Sequence, residues 1–91
     1  MRLPEATGLR FLILTKPDCH WCSKAKELIT RLGHTYTEYD LTQKLEIRDM
    51  CRDLGFKTVP QVFLAGMYPM HIGGYNDLEL VIGDLNDERS D

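Results

Sequence analysis

Cys19 and Cys22 stand two residues apart in the stretch Lys16-Pro17-Asp18-Cys19-His20-Trp21-Cys22-Ser23-Lys24. Such a pair can hold a metal, close a permanent staple or cycle between dithiol and disulfide. Structural zinc needs four ligands. The only other candidates are Cys51, His20, His34 and His71, and they form no second close pair. No metal is expected on that ligand set. Three cysteines in all are also the wrong number for a disulfide framework.

The elements that must position the pair can be read from periodicity. Leu9 to Leu14 is a short apolar run, closed by Thr15, Lys16 and Pro17, and reads as a buried strand. From Cys19 to Leu32 the apolar residues Ala25, Leu28, Ile29 and Leu32 fall on one helical face, and Gly33 ends the helix. Thr35 to Tyr39 alternates as a second strand, so Tyr36 and Tyr39 need no function. Asp40 to Thr42 is expected to cap a helix running to Leu54, with Ile47, Met50, Cys51 and Leu54 facing the core. Val62 to Leu64 and Met70 to Ile72 read as a third and a fourth strand. Gly73-Gly74 breaks the chain before a last helix, roughly 77 to 85.

This order predicts an α/β fold with a four-stranded mixed sheet and three helices, β-α-β-α-β-β-α. The first two strands should be parallel through a right-handed crossover, and the last two an antiparallel hairpin. Ninety-one residues make one domain, with a core from about 9 to 85 and flexible ends, 1 to 8 and 86 to 91. The formal net charge is -3, so the molecule as a whole does not attract nucleic acid or an anionic membrane. No apolar leader or membrane-length run is evident, and a cytoplasmic protein is expected. A close cysteine pair in a reducing compartment is more often catalytic or metal-binding than a staple.

Cys19 sits where a strand gives way to a helix. Free N–H groups and the macrodipole there favour an anion, which should lower its thiol pKa from about 8.5 into the roughly 3.5–7.5 range. Lys16 adds positive charge. Cys22, almost one turn on, should keep a higher pKa and act second. Full ionisation at pH 7 gains about 30-fold in thiolate. The Brønsted slope takes back roughly 25- to 55-fold in nucleophilicity for a drop of about 3.5 units. The net benefit lies in expulsion of Cys19 from a mixed disulfide, the property of a catalyst that turns over.

Three motifs in order and spacing resemble the glutaredoxins of the thioredoxin-like superfamily: Lys16 to Cys22, Thr58-Val59-Pro60-Gln61-Val62-Phe63, and His71-Ile72-Gly73-Gly74-Tyr75-Asn76-Asp77. The resemblance spans roughly 10 to 85. It implies a thioredoxin-like fold, sheet order 2-1-3-4, with Pro60 in a cis peptide bond facing the cysteines. It implies glutathione as reductant, an extended tripeptide with two carboxylates and one amine. Val59 would pair its backbone with the peptide, and Lys16 and Lys57 would meet the glycine carboxylate. Backbone amides after Gly74, at Tyr75 and Asn76, would hold the γ-glutamyl carboxylate. Asp77 would meet the amine, with Asn76 assisting. Trp21 stands where the family usually has tyrosine and is read as a wall of the groove. Thr58 and Pro60 complete the loop. Read alone, Lys57 is an ordinary surface lysine and Asp77 an ordinary helix cap.

The implied activity is glutathione-dependent reduction of protein disulfides or glutathionylated proteins by a monomer, with ribonucleotide reductase as a candidate electron acceptor. Two alternatives stay open. One is a thioredoxin-like redoxin reduced by a flavoenzyme; the other is an iron–sulfur cluster carrier. His20 replaces the proline of many dithiol relatives, which leaves a cluster-bridged dimer open. Gly66-Met67-Tyr68-Pro69-Met70 lengthens the last hairpin by about three residues over the usual family turn. Cys51 is read as a buried small hydrophobe, and His34 and His71 as structural.

Overall fold

The computed structural model describes residues 8–86. Its elements are β1 (Arg10–Thr15), α1 (His20–Arg31), β2 (Thr35–Asp40), α2 (Leu45–Asp53), β3 (Gln61–Leu64), β4 (Met70–Gly73) and α3 (Tyr75–Asn86). The sheet order is β2-β1-β3-β4. β1 and β2 are parallel, β1 and β3 antiparallel, and β3 and β4 form an antiparallel hairpin with an irregularity at Val62/Phe63. Element order and strand order are those expected from the sequence. Apart from Gly8 and Asn86, the ends expected to be flexible lie outside the described residues.

Alternation along β1 builds two cores. Phe11 and Ile13 face one side and pack with Ala25, Leu28 and Ile29 of α1, Val62 of β3, and Leu78 and Ile82 of α3. Leu14 joins a smaller cluster with Leu41 and Cys51, flanked by Ile47, Phe56, Val59 and Phe63. Burial on both faces is why β1 reads as a continuous apolar run. His34, read from the sequence as structural, is buried. Its Nδ1 accepts the Leu9 N–H at 3.3 Å, and its ring meets Phe11 edge-on.

Three local expectations need correction. Asp40 does not cap α2. Its carboxylate accepts the Thr42 N–H (2.8 Å) and hydroxyl (2.6 Å) in a tight turn, and Lys44 precedes the helix without a side-chain cap. Met50 and Leu54 do not face the core; they are 54% and 65% exposed. With only nine residues, α2 buries Cys51 and partly covers Ile47, so residues to either side of that stripe stay in solvent. Finally, α3 starts at Tyr75, not Asp77, which moves Asp77 into its first turn.

Candidate active site

Cys19 is the N-cap of α1, in extended conformation, and its Sγ accepts the Cys22 backbone N–H at 3.1 Å. A sulfur here does what a serine or aspartate oxygen does at an ordinary N-cap. No acidic residue occupies the first turn of α1, so nothing in that turn opposes negative charge on the sulfur. Asp18, just before, has φ 58°. That left-handed conformation is one aspartate tolerates better than most residues, and it turns the chain from Pro17 into the helix.

Cys19 and Cys22 are joined by a disulfide, with Cα atoms 5.2 Å apart. Cys22 is buried, at 2% exposure, whereas Cys19 is partly open. The outer sulfur can therefore meet another molecule while the inner one waits beneath it. The Val59 carbonyl lies 4.0 Å from the Cys19 Sγ. In the disulfide that sulfur has no hydrogen; in the reduced thiol it could donate weakly there.

The Val59–Pro60 peptide bond is cis. The loop before it is held from below. Gln61 donates its amide N–H to the Thr58 carbonyl at 3.0 Å and to its hydroxyl at 3.2 Å. The Gln61 Oε1 then lies 2.7 Å from the His71 Nε2. A carbonyl can only accept, so the Gln61 nitrogen must face Thr58 and its oxygen must face His71. Nε2 of His71 is thereby assigned as the protonated nitrogen. The His71 ring stacks on Phe56 at 4.7 Å.

Across the groove, Gly73 has φ 130°, and a Cβ there would run into the Asp77 carboxylate, with Cγ at 2.8 Å. Asp77 uses that space to accept the Gly74 N–H at 3.2 Å. This is the reach-back half of a capping box. A Cβ at Gly74 would sit 3.7 Å from the Pro60 carbonyl oxygen, so the start of α3 closely approaches the proline loop.

Lys57, Thr58, Gly74, Tyr75, Asn76 and Asp77 line one groove of about 530 Å³, together with Gln61 and His71. Lys16 and Val59 meet Lys57 and Thr58 in an adjoining pocket of about 410 Å³. Lys16, Cys19 and Cys22 share a third hollow on the other side. Pro60 is buried and lines none of these. Trp21 lines none either; it is 52% exposed and leans on Tyr75, ring centroids 5.3 Å apart. Sequence reasoning missed His71, Gln61 and Phe56 as a group. Their link is a contact between β3, β4 and the loop after α2, which no single-strand pattern encodes. The two faint signals were a polar residue directly after Pro60 and an aromatic one in an exposed strand.

Two side chains nearby titrate away from their ordinary ranges. The Asp40 carboxyl is held low, chiefly by the Thr42 hydroxyl, then by the Thr42 N–H and the charge of Lys26. Burial pushes the Cys51 thiol up. Among the described residues no group of three His, Cys, Asp or Glu could hold a metal, and no helix is long and apolar enough to cross a membrane.

Residues 11–68 match the glutaredoxin family model. Glutaredoxin from Pseudomonas aeruginosa is 35% identical over 68 residues, covering 74% of this chain and 77% of that one. Glutaredoxin 3 from Escherichia coli (strain K12) is 36% identical over 67 residues, covering 72% and 77%. A hybrid peroxiredoxin from Haemophilus influenzae is 43% identical over 67 residues; the match takes 74% of this chain but spans only 27% of that protein. Among solved structures, a buckwheat glutaredoxin–glutathione complex superposes with TM-score 0.65 and 29% identity, covering 85% of this chain and 73% of that one. The glutaredoxin-like NrdH-redoxin of Escherichia coli superposes with TM-score 0.62 and 25% identity, covering 75% and 86%. With its thioredoxin-like sheet and a cysteine pair at a helix start, the chain belongs to the glutaredoxin family and is a thiol–disulfide oxidoreductase.

Proposed function

We propose that the chain reduces disulfides and glutathionylated proteins at the expense of glutathione, acting as a monomer in the cytoplasm. The observation that carries this reading is continuity. A groove with helix-start N–H groups and Asp77 at one end runs past Thr58 to a pocket edged by Lys16 and Lys57 at the other. Charges at both ends and a free backbone between them suit an extended peptide with a carboxylate at each end and one amine. The buckwheat neighbour is described as a glutathione complex, which supports the same reading.

In this mechanism the Cys19 thiolate attacks a substrate disulfide. One sulfur of the substrate leaves as thiolate and the other stays bonded to Cys19. The Cys22 thiolate then displaces it, closing the Cys19–Cys22 disulfide, so two electrons pass to the substrate. One glutathione thiolate reopens the pair by bonding to Cys19, and a second releases it as oxidised glutathione. Lys16 and Lys57 take the glycine carboxylate, and the Val59 backbone pairs with the peptide. Tyr75 and Asn76 N–H groups take the γ-glutamyl carboxylate, and Asp77 the amine. Trp21 lines none of the three pockets, but it leans on Tyr75 at the groove's edge and would flank a bound peptide there. Protein partners consistent with this reading are ribonucleotide reductase, from the family resemblance, and a peroxiredoxin, from the hybrid relative.

The likeness to NrdH-redoxin, whose activity is described as thioredoxin-like, favours a second reading: reduction by a flavoenzyme. Turnover of a disulfide substrate with glutathione and glutathione reductase, set beside turnover with thioredoxin reductase, separates the two. Activity with the second system alone would sink the glutathione reading.

A further inference from the structure

The pocket of about 410 Å³ beside the glutathione groove has a use that glutathione leaves unfilled. Its walls are apolar: Leu41, Leu45, Phe56 and Val59, with the Cys51 thiol behind them. Its polar rim is cationic, with Lys16, Lys57, Arg48 and Arg52, and no carboxylate lines it. Arg48 and Arg52 share a single partner, the Asp49 Oδ1, so that trio keeps a net positive charge. Lys16 and Lys57 form no ion pair among the described residues. The cationic rim stands on a chain whose net charge is -3, so it is a local patch and not the general character of the surface.

We propose that this pocket receives the segment of a protein substrate that follows its target cysteine, and that it selects an apolar side chain accompanied by carboxylates. The direction rests on the glutathione reading above. If the γ-glutamyl end lies at α3 and the glycine end at Lys16 and Lys57, glutathione stops at the rim. A polypeptide in the same register continues over it. Its next side chains meet Leu45 and Phe56, and acidic groups meet the arginines. A rim accessible to solvent gives modest charge selectivity that salt reduces; filling the apolar cleft gives most of the discrimination.

The test uses the reduced full chain and symmetrical disulfides of short peptides. One peptide carries Leu-Asp-Glu after its cysteine, a second carries the same residues before it, and a third carries Ser-Lys-Lys after it. Single-turnover rates are followed by the fluorescence of Trp21. Each reaction converts one protein dithiol and one peptide disulfide into a protein disulfide and two peptide thiols. The first peptide is expected to react about tenfold faster than the other two, the size of effect one well-placed apolar group gives. Arg52→Glu and Leu45→Asp, both at exposed positions, should each shrink that gap while leaving the rate with 2-hydroxyethyl disulfide unchanged. Equal rates for the first two peptides, or a preference that survives both substitutions, would overturn the proposal. The glutathione reading is judged separately, by steady-state turnover with glutathione and its reductase. Its failure, with the peptide preference intact, would leave the pocket assignment standing.

Discussion

The His71 Nε2 lies 2.7 Å from the Gln61 Oε1, while the Gln61 amide nitrogen holds the Thr58 carbonyl at 3.0 Å. An exposed imidazole on β4 thus sets the position of the loop that precedes Pro60. Gln61 is the buried member, at 8% exposure. Replacing it by Leu removes the donor to Thr58 and the acceptor for His71 together. Stability should fall by about 0.5–1.5 kcal/mol, the net worth of hydrogen bonds whose remaining partners, on exposed Thr58 and His71, can turn to water. His71→Leu keeps apolar contact with Phe56 but leaves the Oε1 of buried Gln61 without its partner, and should cost about 1–3 kcal/mol. Under the proposed glutathione reading, in which this loop pairs with the peptide, both should raise KM for glutathione several-fold and change kcat far less. Urea denaturation and steady-state kinetics read the two effects apart. A fall in kcat with constant KM would contradict the assignment.

The unequal burial of Cys19 and Cys22 gives the second prediction. Iodoacetamide should modify Cys19 first in the reduced protein, and its reactivity should rise with pH at a midpoint below about 8.5, since the Cys22 N–H and the helix start favour the thiolate. Cys19→Ser should abolish turnover of every disulfide. Cys22→Ser should keep turnover of glutathione mixed disulfides, which a second glutathione can resolve. An ordinary thiol midpoint at Cys19, or activity in Cys19→Ser, would remove the basis of the mechanism.

Cys51 yields a dependence on pH. Burial raises its thiol pKa in the folded chain, whereas unfolding returns it to about 8.5. Below that value both states are protonated and the group contributes no slope. Above it the unfolded state loses the proton first, so stability falls as pH rises toward the folded pKa. Cys51→Ala should cost about 1 kcal/mol near pH 7 through lost packing. Its deficit relative to wild type should narrow between pH 8 and pH 10. Parallel stability curves over that range would show that the thiol does not ionise on unfolding.

How much of this was legible in the sequence follows from where each signal resides. Local patterns located β1, α1 and the cysteines, because apolar periodicity and a Cys-x-x-Cys spacing are written in consecutive residues. The strand order and the cis Val59–Pro60 bond came with the family motifs and not from periodicity. Around α2 the local pattern misleads twice. Met50 and Leu54 carry the apolar pattern of a core face, but a short helix at the edge of the smaller cluster has nothing to set against them. Asp40 carries the chemistry of a cap, and Thr42, two residues on, claims it for a turn. Thr58 and Gln61 meet locally, three residues apart, but the Gln61–His71 link was invisible because it joins β3 to β4 across their hairpin. The left-handed Asp18 likewise had no glycine to announce it.

The two adjacent glycines before α3 should respond differently to alanine. At Gly73, φ is 130°, a region closed to most side chains, and a Cβ would collide with the Asp77 carboxylate, which reaches back to the Gly74 N–H. Gly73→Ala must therefore strain the backbone and displace Asp77. The backbone conformation alone should cost about 1–3 kcal/mol. Displacing Asp77 also removes the group assigned to the glutathione amine, so KM should rise as well. At Gly74 the nearest atom to a new Cβ is the Pro60 carbonyl oxygen at 3.7 Å, an ordinary contact. Gly74→Ala should stay within about 0.5 kcal/mol of wild type in stability. It should still impair glutathione turnover, because the methyl group occupies the floor of the groove between α3 and the proline loop. Asp77→Asn tests the carboxylate by itself: the cap can persist through the amide oxygen, while the charge that would meet an ammonium is gone. Thermal unfolding and glutathione kinetics on the three variants give distinct patterns. Both properties should fail in Gly73→Ala, and binding alone should fail in the other two. A Gly73→Ala protein with wild-type stability would contradict the backbone geometry at the start of α3.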